Sequence, residues 1–194
     1  QEIVDRVLAR RGRYHLFDSL DPAKTALVVI DMQGTFVGPG SPAEVPSSRG
    51  IVDNINFMTG ALRDLGGTII WVTHANAHNS SASDWDMFFN NFVAADVRQK
   101  TIESLSPDGE GQNVWRDLVV GDDDLQITKN RYSALIPGSS SLERTLRSRG
   151  ITNLLIAGTK TNVCCEATGR DAMMLDFRVV MVSDCLGALS DDEH

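Results

Sequence analysis

Three residues from separate parts of the chain carry side chains that together could activate a nucleophile, namely Asp31, Lys129 and Cys164. A cysteine thiol with an ordinary pKa of about 8.5 is only a few per cent ionised at neutral pH, so it needs a base or a positive field to react. Asp31 could accept the thiol proton, and the Lys129 ammonium could hold the carboxylate and lower the pKa of the thiol. Taken singly, a turn-forming aspartate, a solvated lysine and a buried structural cysteine are the commoner interpretations. The chemistry therefore depends on the three residues meeting.

Cys164 follows a short apolar segment, residues 154–157, which is typical of a buried parallel strand. Gly and Thr at 158–159 are predicted to end that strand. Thr and Asn at 161–162 are good helix N-cap types, and they predict a helix over about 163–176. Cys164 would then lie in the first helical turn. There the helix dipole favours a thiolate, and free backbone N–H groups could hold an oxyanion.

Apolar segments also precede the other two residues, so each candidate is predicted to follow a strand. Strands and helices alternate along the chain, which predicts a parallel sheet covered by helices on both faces. In such sheets the chemistry lies at the carboxyl ends of the strands, so we expect all three side chains on one rim. The predicted strands are 26–30, 68–72, 125–128, 154–157 and 178–182, and the predicted helices are 4–11, 51–65, 142–149, 163–176 and a short one within 92–105.

Two long segments are predicted to lie outside this alternation. Residues 34–49 are rich in Gly, Pro and Ser, which predicts a loop. Residues 74–115 are predicted to form an excursion from the core that sets substrate choice. Its aromatic side chains near residues 85–92 would cover a pocket, cover an interface or form a satellite cluster.

Length, composition and charge indicate the domain organisation, the partners and the cellular compartment to expect. A length of 194 residues favours one domain, and we expect an N-terminal arm over 1–24 and the domain over 25–194. The net charge of −8 argues against nucleic acid and anionic membranes as partners. The sequence contains no run of about 18 apolar residues, so no membrane span is predicted, and the first residues lack a signal-peptide core. Residues 190–193 resemble a helix start, so a further helix is expected after His194. Three cysteines, two of them adjacent, suit free thiols in a reducing cytoplasm.

Three sequence blocks resemble the signature blocks of the isochorismatase-like cysteine hydrolases in order and spacing. They are VVIDMQGTFV at 28–37, ITKNRYSAL at 127–135 and LLIAGTKTNVCCEATGRDAM at 154–173, and the resemblance extends from about residue 25 to the end. It implies a Rossmann-like, three-layer α/β/α fold with a mostly parallel central sheet. Amidase members of that family use an Asp–Lys–Cys triad. The resemblance thus implies that Asp31 is the base, Lys129 the electrostatic partner and Cys164 the nucleophile.

The resemblance also implies a detailed geometry around the nucleophile. Its motif selects Cys164 rather than Cys165, which would be a packing residue, and leaves Cys185 open between the core and the pocket wall. The family has a non-proline cis peptide in this turn, which would be Thr159–Lys160. The backbone N–H groups of Lys160 and Cys164 would form the oxyanion hole.

A nucleophilic cysteine favours C–N hydrolysis through a thioester, because the ether-cleaving isochorismatases resemble this fold without that residue. The blocks look closest to the ureidoacrylate and carbamoyl amidohydrolase branch. They imply a small amide or ureide substrate, no cofactor, and a homo-oligomer, either a dimer or a tetramer. The alternatives are an isochorismatase-type vinyl-ether hydrolase, a nicotinamidase-like amidase, and a non-catalytic binding protein that kept the fold.

Three further residues are predicted substrate contacts. Phe36 would wall the pocket, Tyr132 would lie near the substrate or pack as an ordinary aromatic, and His74 would have a substrate-contacting or a structural role. Family nicotinamidases hold a divalent ion through an Asp-x-His pattern and further histidines. His74 and His78 are four residues apart, but that pattern is not evident, so no metal is predicted.

Overall fold

The computed structural model describes residues 2–77 and 83–194, and a five-stranded parallel sheet forms the centre of this described part. The strands are β1 Thr25–Ile30, β2 Thr68–His74, β3 Leu125–Lys129, β4 Asn153–Thr159 and β5 Arg178–Gly187. They lie in the order β3-β2-β1-β4-β5, with every neighbouring pair parallel. The chain therefore builds the sheet in one direction from β1, then returns to the other side of β1 and continues outward.

Helices cover both faces of the sheet. The helices of the described residues are α1 Glu2–Arg11, α2 Gly34–Val37, α3 Val52–Asp64, α4 Asp86–Asn91, α5 Ala95–Ser104, α6 Leu142–Ser148 and α7 Glu166–Met174. α3 packs on one face of the sheet, and α6 and α7 pack on the other. Short 3₁₀ turns occupy Pro22–Lys24, Pro46–Ile51, Glu110–Gln112 and Asp191–Glu193, and a π-helical turn occupies Thr161–Cys165. None of the helices in the described ranges combines the length and apolar character needed to cross a bilayer.

The central strand β1 is buried on both faces, which explains why its sequence is uniformly apolar. Alternate side chains point to opposite faces of a strand. Val28 packs in one core with Leu146 of α6, whereas Val29 packs in the other core with Ile55 of α3. The three-layer α/β/α architecture implied by the sequence is thereby confirmed.

The carboxyl ends of β1 and β4 flank the point where the strand order reverses. In open α/β sheets this crevice is where ligands bind, because the loops from the two strands diverge there. Asp31 follows β1 directly, and Cys164 follows β4. Lys129 ends β3, two strands away from β1, so its side chain must extend past the end of β2 to reach the crevice.

The predicted end of β4 is wrong, because the strand continues through residues 158 and 159. Gly158 adopts a φ of +110°, and a Cβ there would lie 2.0 Å from the Ile30 carbonyl oxygen of β1. Glycine thus permits the close approach of β4 to β1 while the strand continues. A register shift after Ile156 lets Gly158 pair with Leu186, which extends β5 beyond its predicted end at residue 182.

Three other expectations need correction. The predicted loop at 34–49 contains α2 and the start of the 3₁₀ turn Pro46–Ile51, and the excursion contains α4 in addition to the helix expected within 92–105. Neither Thr161 nor Asn162 caps α7, because the π-helical turn comes first and α7 begins only at Glu166 without a side-chain cap. These helices and turns are too short to produce a readable hydrophobic period.

Candidate active site

Asp31, Lys129 and Cys164 meet at the carboxyl edge of the sheet. The Lys129 Nζ atom lies 2.9 Å from Asp31 Oδ2 and 3.7 Å from Cys164 Sγ. The side chains of the ion pair are 0% and 2% exposed for Lys129 and Asp31, and Cys164 is also buried. The convergence predicted from three distant segments is therefore present, and it places an acid, an ammonium and a thiol in direct contact.

Asp31 holds its carboxylate at the strand end through an unusual backbone conformation. Its φ is +54°, a left-handed value that few non-glycine residues adopt, although aspartate tolerates it better than most. The Asp31 N–H donates to the Val72 carbonyl at 2.8 Å, which ties this turn to β2. Burial raises the pKa of Asp31, and the Lys129 charge opposes this rise only in part. The carboxylate is thus a stronger base than one in water.

Lys129 remains charged although it is fully buried. Burial acts to lower the pKa of Lys129, but the adjacent Asp31 carboxylate favours the charged ammonium, and the net pKa shift is upward. Its ammonium also donates to the Arg131 carbonyl at 3.0 Å and faces His74 Nδ1 at 3.4 Å. These contacts fix a positive charge between the carboxylate and the sulfur.

Cys164 lies in the π-helical turn, where the Cys165 N–H donates to the Lys160 carbonyl at 3.2 Å. The expectation that this position lowers the pKa of the thiol is wrong. Burial and the adjacent Asp31 charge raise the pKa of Cys164 to about 12, and the field of Lys129 offsets them only partly. In the resting site the sulfur is a thiol, while Asp31 is the ionised neighbour.

A cavity of about 290 Å³ opens onto Asp31 and Cys164. The predicted substrate contacts Phe36, His74 and Tyr132 all line it, as do Lys160 and Cys164, whose backbone N–H groups were the expected oxyanion hole. The peptide bond between Thr159 and Lys160 is cis, as the resemblance implied. The structure thus brings every predicted site residue except the buried Lys129 side chain to the cavity wall, and Lys129 lies directly behind that wall.

Comparisons with known proteins agree with this geometry. Residues 25–194 match the sequence profile of the isochorismatase domain. The chain belongs to the isochorismatase family. It is 32% identical over 176 residues to a protein of Arabidopsis thaliana named a probable inactive nicotinamidase, across 88% of this chain and 84% of that protein. The ureidoacrylate amidohydrolase RutB of Klebsiella pneumoniae is 28% identical over 177 residues, across 86% and 74% of the two chains.

A solved structure has a similar fold. The cysteine hydrolase of Pseudomonas syringae pv. phaseolicola superposes with a TM-score of 0.79 and 27% identity, across 93% of this chain and 80% of that one. The resemblance drawn from the three sequence blocks is therefore confirmed at the level of the isochorismatase family.

Gln33 is a site residue of this isochorismatase-family chain that the sequence reasoning missed. Its amide Oε1 accepts from the His74 N–H at 2.7 Å, and its Nε2 donates to the His74 carbonyl at 2.9 Å and to the Gly111 carbonyl at 3.0 Å. This buried side chain links the end of β2 to the excursion. Its position two residues after Asp31, inside the first sequence block, was the available signal.

His74 is held as a neutral imidazole. Burial lowers its pKa well below the ordinary value, and the nearby charges of Lys129 and Arg131 lower it further. Because Nδ1 faces the Lys129 ammonium, that nitrogen is the acceptor and Nε2 carries the proton. His74 therefore offers the cavity a hydrogen-bond donor with no charge.

Phe88 and Phe89 of the excursion line the cavity, and Trp85 packs with them in an aromatic cluster. Trp85 and Phe88 stack at 4.8 Å between centroids, and both contact the Tyr132 ring edge to face, at 4.8 and 5.6 Å. Arg131 lies over the Trp85 ring at 5.2 Å. The position of Tyr132 fits both alternatives given above. Its ring packs in the aromatic cluster, and it lines the cavity with 38% of its surface exposed.

The remaining cysteines lie apart from this chemistry. Cys165 is buried in the same core as Val28, and its sulfur faces the Ala157 carbonyl at 3.8 Å. Cys185 is buried in the core on the α3 side, which resolves its open alternative. Within residues 2–77 and 83–194, no group of three His, Cys, Asp or Glu side chains could hold a metal ion, and His78 lies outside these residues.

Proposed function

We propose that this chain hydrolyses the C–N bond of a small amide, ureide or carbamoyl substrate through a thioester on Cys164. The observation that carries the proposal is the contact of one ammonium, Lys129 Nζ, with both the Asp31 carboxylate and the Cys164 sulfur at the end of a substrate-sized cavity. Relatives with amidohydrolase names support it, since the RutB protein is named a ureidoacrylate amidohydrolase.

The first step couples proton transfer to attack. A thiol with a pKa of about 12 is ionised to only about one part in a hundred thousand at pH 7, so a standing thiolate is not the nucleophile. Asp31 takes the thiol proton as the sulfur attacks the substrate carbonyl carbon, and the C–S bond forms as the carbonyl π bond opens. Lys129 stabilises the sulfur as it gains negative charge.

The next steps return the site to its starting state. The N–H groups of Lys160 and Cys164 bind the oxyanion of the tetrahedral intermediate. Protonated Asp31 gives its proton to the leaving nitrogen, the C–N bond breaks, and a thioester remains. Asp31 then takes a proton from water, whose oxygen attacks the thioester. The acid leaves, the proton returns to the sulfur, and the reaction uses no cofactor.

The decisive experiment measures ammonia release and the covalent intermediate together. Ureidoacrylate, maleamate, nicotinamide and a set of carbamates would be assayed with the wild-type chain and with Cys164→Ala. Cys165→Ala is the matched control, because it removes a neighbouring sulfur that packs in the core. We expect turnover and an acyl adduct on Cys164 by mass spectrometry, both lost in Cys164→Ala and retained in Cys165→Ala.

Other outcomes would reject the proposal. Equal loss of turnover in both cysteine variants would remove the special role of Cys164. Cleavage of isochorismate without an adduct would favour the vinyl-ether alternative. One relative is named a probable inactive nicotinamidase, so turnover has to be measured directly. Substrate binding without any product would favour the non-catalytic alternative.

A further inference from the structure

The walls of the cavity differ sharply between its two ends. Asp31, His74 and Cys164 line the reacting end, and the lining also includes Glu44 and Thr101, whose hydroxyl donates to the Val97 carbonyl at 2.8 Å. The facing wall comes from α2, α4, α5 and the segments beside them, and it is formed by Phe36, Phe88, Phe89, Val93, Val97 and Leu105. A bound substrate therefore places its C–N group at the sheet edge and the remainder of its acyl group against hydrocarbon.

This apolar wall lacks a cation among the described residues. Arg98 and Lys100 belong to α5, but neither is among the residues that line the cavity, and Arg98 instead contacts Asn90 at 2.9 Å. Arg131 donates to the Asp84 carbonyl and stacks on Trp85. The sequence of residues 78–82 contains neither Lys nor Arg.

The two lysines that belong to the site are at its reacting end. Lys129 is buried and paired with Asp31 at 2.9 Å, so its charge is already balanced. Lys160 lies next to the cis peptide, on the Cys164 side of the cavity. Neither belongs to the helices that form the opposite wall, where the far end of an acyl group would lie.

Negative charge is also present at the cavity before any substrate binds. Glu44 lines it, and the Gly40 N–H and the Arg49 guanidinium hold the pKa of Glu44 below its ordinary value, so it is ionised. Asp31 supplies a second carboxylate, and the two carboxylates are already paired, Glu44 with Arg49 at 2.8 Å and Asp31 with Lys129 at 2.9 Å. A substrate carboxylate would lose its hydration against apolar side chains, and the described residues of that wall offer it no cation in return.

We propose, building on the amidohydrolase function proposed above, that the cavity selects amides whose acyl group is uncharged and apolar. A volume of about 290 Å³ leaves room for roughly ten non-hydrogen atoms, at about 30 Å³ for each water-sized atom. Flat or branched acyl groups suit the aromatic and aliphatic wall. Amides that carry a carboxylate on the acyl group, as succinamate does, are disfavoured.

The test compares two amides of the same shape. Isocaproamide and succinamate differ in that an isopropyl group in the first replaces the carboxylate of the second. We expect kcat/KM to be at least about a hundredfold higher for isocaproamide, since discrimination of this size is within reach of an apolar pocket.

A charge introduced into the wall provides a second measurement. Val97 lies on α5, lines the cavity and is 36% exposed, so a longer side chain can be accommodated there. Val97→Lys and the uncharged control Val97→Met have side chains of similar length. Relative to Val97→Met, Val97→Lys should raise kcat/KM for succinamate about tenfold, with a much smaller change for isocaproamide.

The outcomes separate this inference from the function on which it rests. Hydrolysis of succinamate as fast as that of isocaproamide, or faster, would overturn the inference while leaving the amidohydrolase function in place. Failure of Val97→Lys to favour succinamate over its Val97→Met control would also count against it. No turnover of either amide overturns the inference, and if Cys164 also forms no adduct with any substrate, the proposed function falls with it.

Discussion

Asp31→Asn separates the two effects that Asp31 exerts on the sulfur. As a base, Asp31 removes the thiol proton during turnover. As a fixed negative charge, it holds that proton on the sulfur at rest, because it helps to raise the pKa of Cys164 to about 12. Asparagine removes the charge and leaves Lys129 beside Cys164 Sγ at 3.7 Å. The variant should therefore have a more ionised thiol and yet lose catalysis.

The magnitude follows from the charges. A nearby charge shifts a pKa by about one to three units, so loss of Asp31 should raise the thiolate fraction at pH 8 at least about tenfold. Turnover should fall by about a hundredfold or more, because the general base is lost.

The assay is alkylation of Cys164 by iodoacetamide across pH 6 to pH 10, followed by peptide mass spectrometry, with ammonia release measured on the same samples. Circular dichroism would verify that the variant is folded. Slower alkylation in Asp31→Asn would contradict the electrostatic reasoning, and unchanged turnover would remove Asp31 from the role of base.

Three further predictions concern the surroundings of the thiol. Lys129→Met leaves the Asp31 carboxylate buried without its partner and raises the pKa of Asp31 further. Because this folded-state pKa lies above the unfolded value of about 3.8, the free energy of unfolding should fall as the pH rises. Denaturant titration should show a loss that grows from pH 4 and reaches about 3–5 kcal/mol near pH 7, and a pH-independent loss would contradict the reasoning. Gln33→Leu should cost about 1–3 kcal/mol of stability and raise KM, because three backbone groups lose their partner, and Gln33→Glu as the matched control should restore the bond from the His74 N–H without restoring full stability. The pH profile of kcat/KM should have the same inflections in the wild-type chain and in His74→Asn, because burial and Lys129 keep His74 neutral. An inflection near pH 6.5 that disappears in His74→Asn would contradict this.

The sequence was most informative for residues that directly follow a buried strand, because the end of the strand fixes their position in the fold. Buried parallel strands are recognisable as apolar segments, and their carboxyl ends share an edge, so Asp31 after β1 and Cys164 after β4 could be placed together. The position of Lys129 was predicted from the same rule, but the distance it spans was not. It ends β3, and only the observed order β3-β2-β1 shows that its side chain passes the end of β2 at His74.

The cavity wall, and the aromatic cluster that packs with it, could not be derived in the same way. Trp85, Phe88 and Tyr132 come from two segments more than forty residues apart, and no periodicity in either segment indicates that their rings meet at about 5 Å. The helix α4 is six residues long, which is too short for an amphipathic pattern to identify. Such a wall results from tertiary contacts between an excursion and a strand end, so it follows from the fold and not from local propensity.

The ionisation of Cys164 shows where a local rule is outweighed by its surroundings. A cysteine in the first turn of a helix, beside a lysine, is expected to have a low pKa, because both features favour the thiolate. Here the turn is π-helical, the sulfur is buried, and the nearest carboxylate is ionised by the same lysine that would have stabilised the thiolate. One ammonium cannot fully compensate both the Asp31 carboxylate and a Cys164 thiolate. The proton therefore stays on the sulfur until a substrate carbonyl carbon can accept the sulfur electron pair. A thiol held in this way resists oxidation and alkylation at rest, since the thiolate is the reactive form in both reactions.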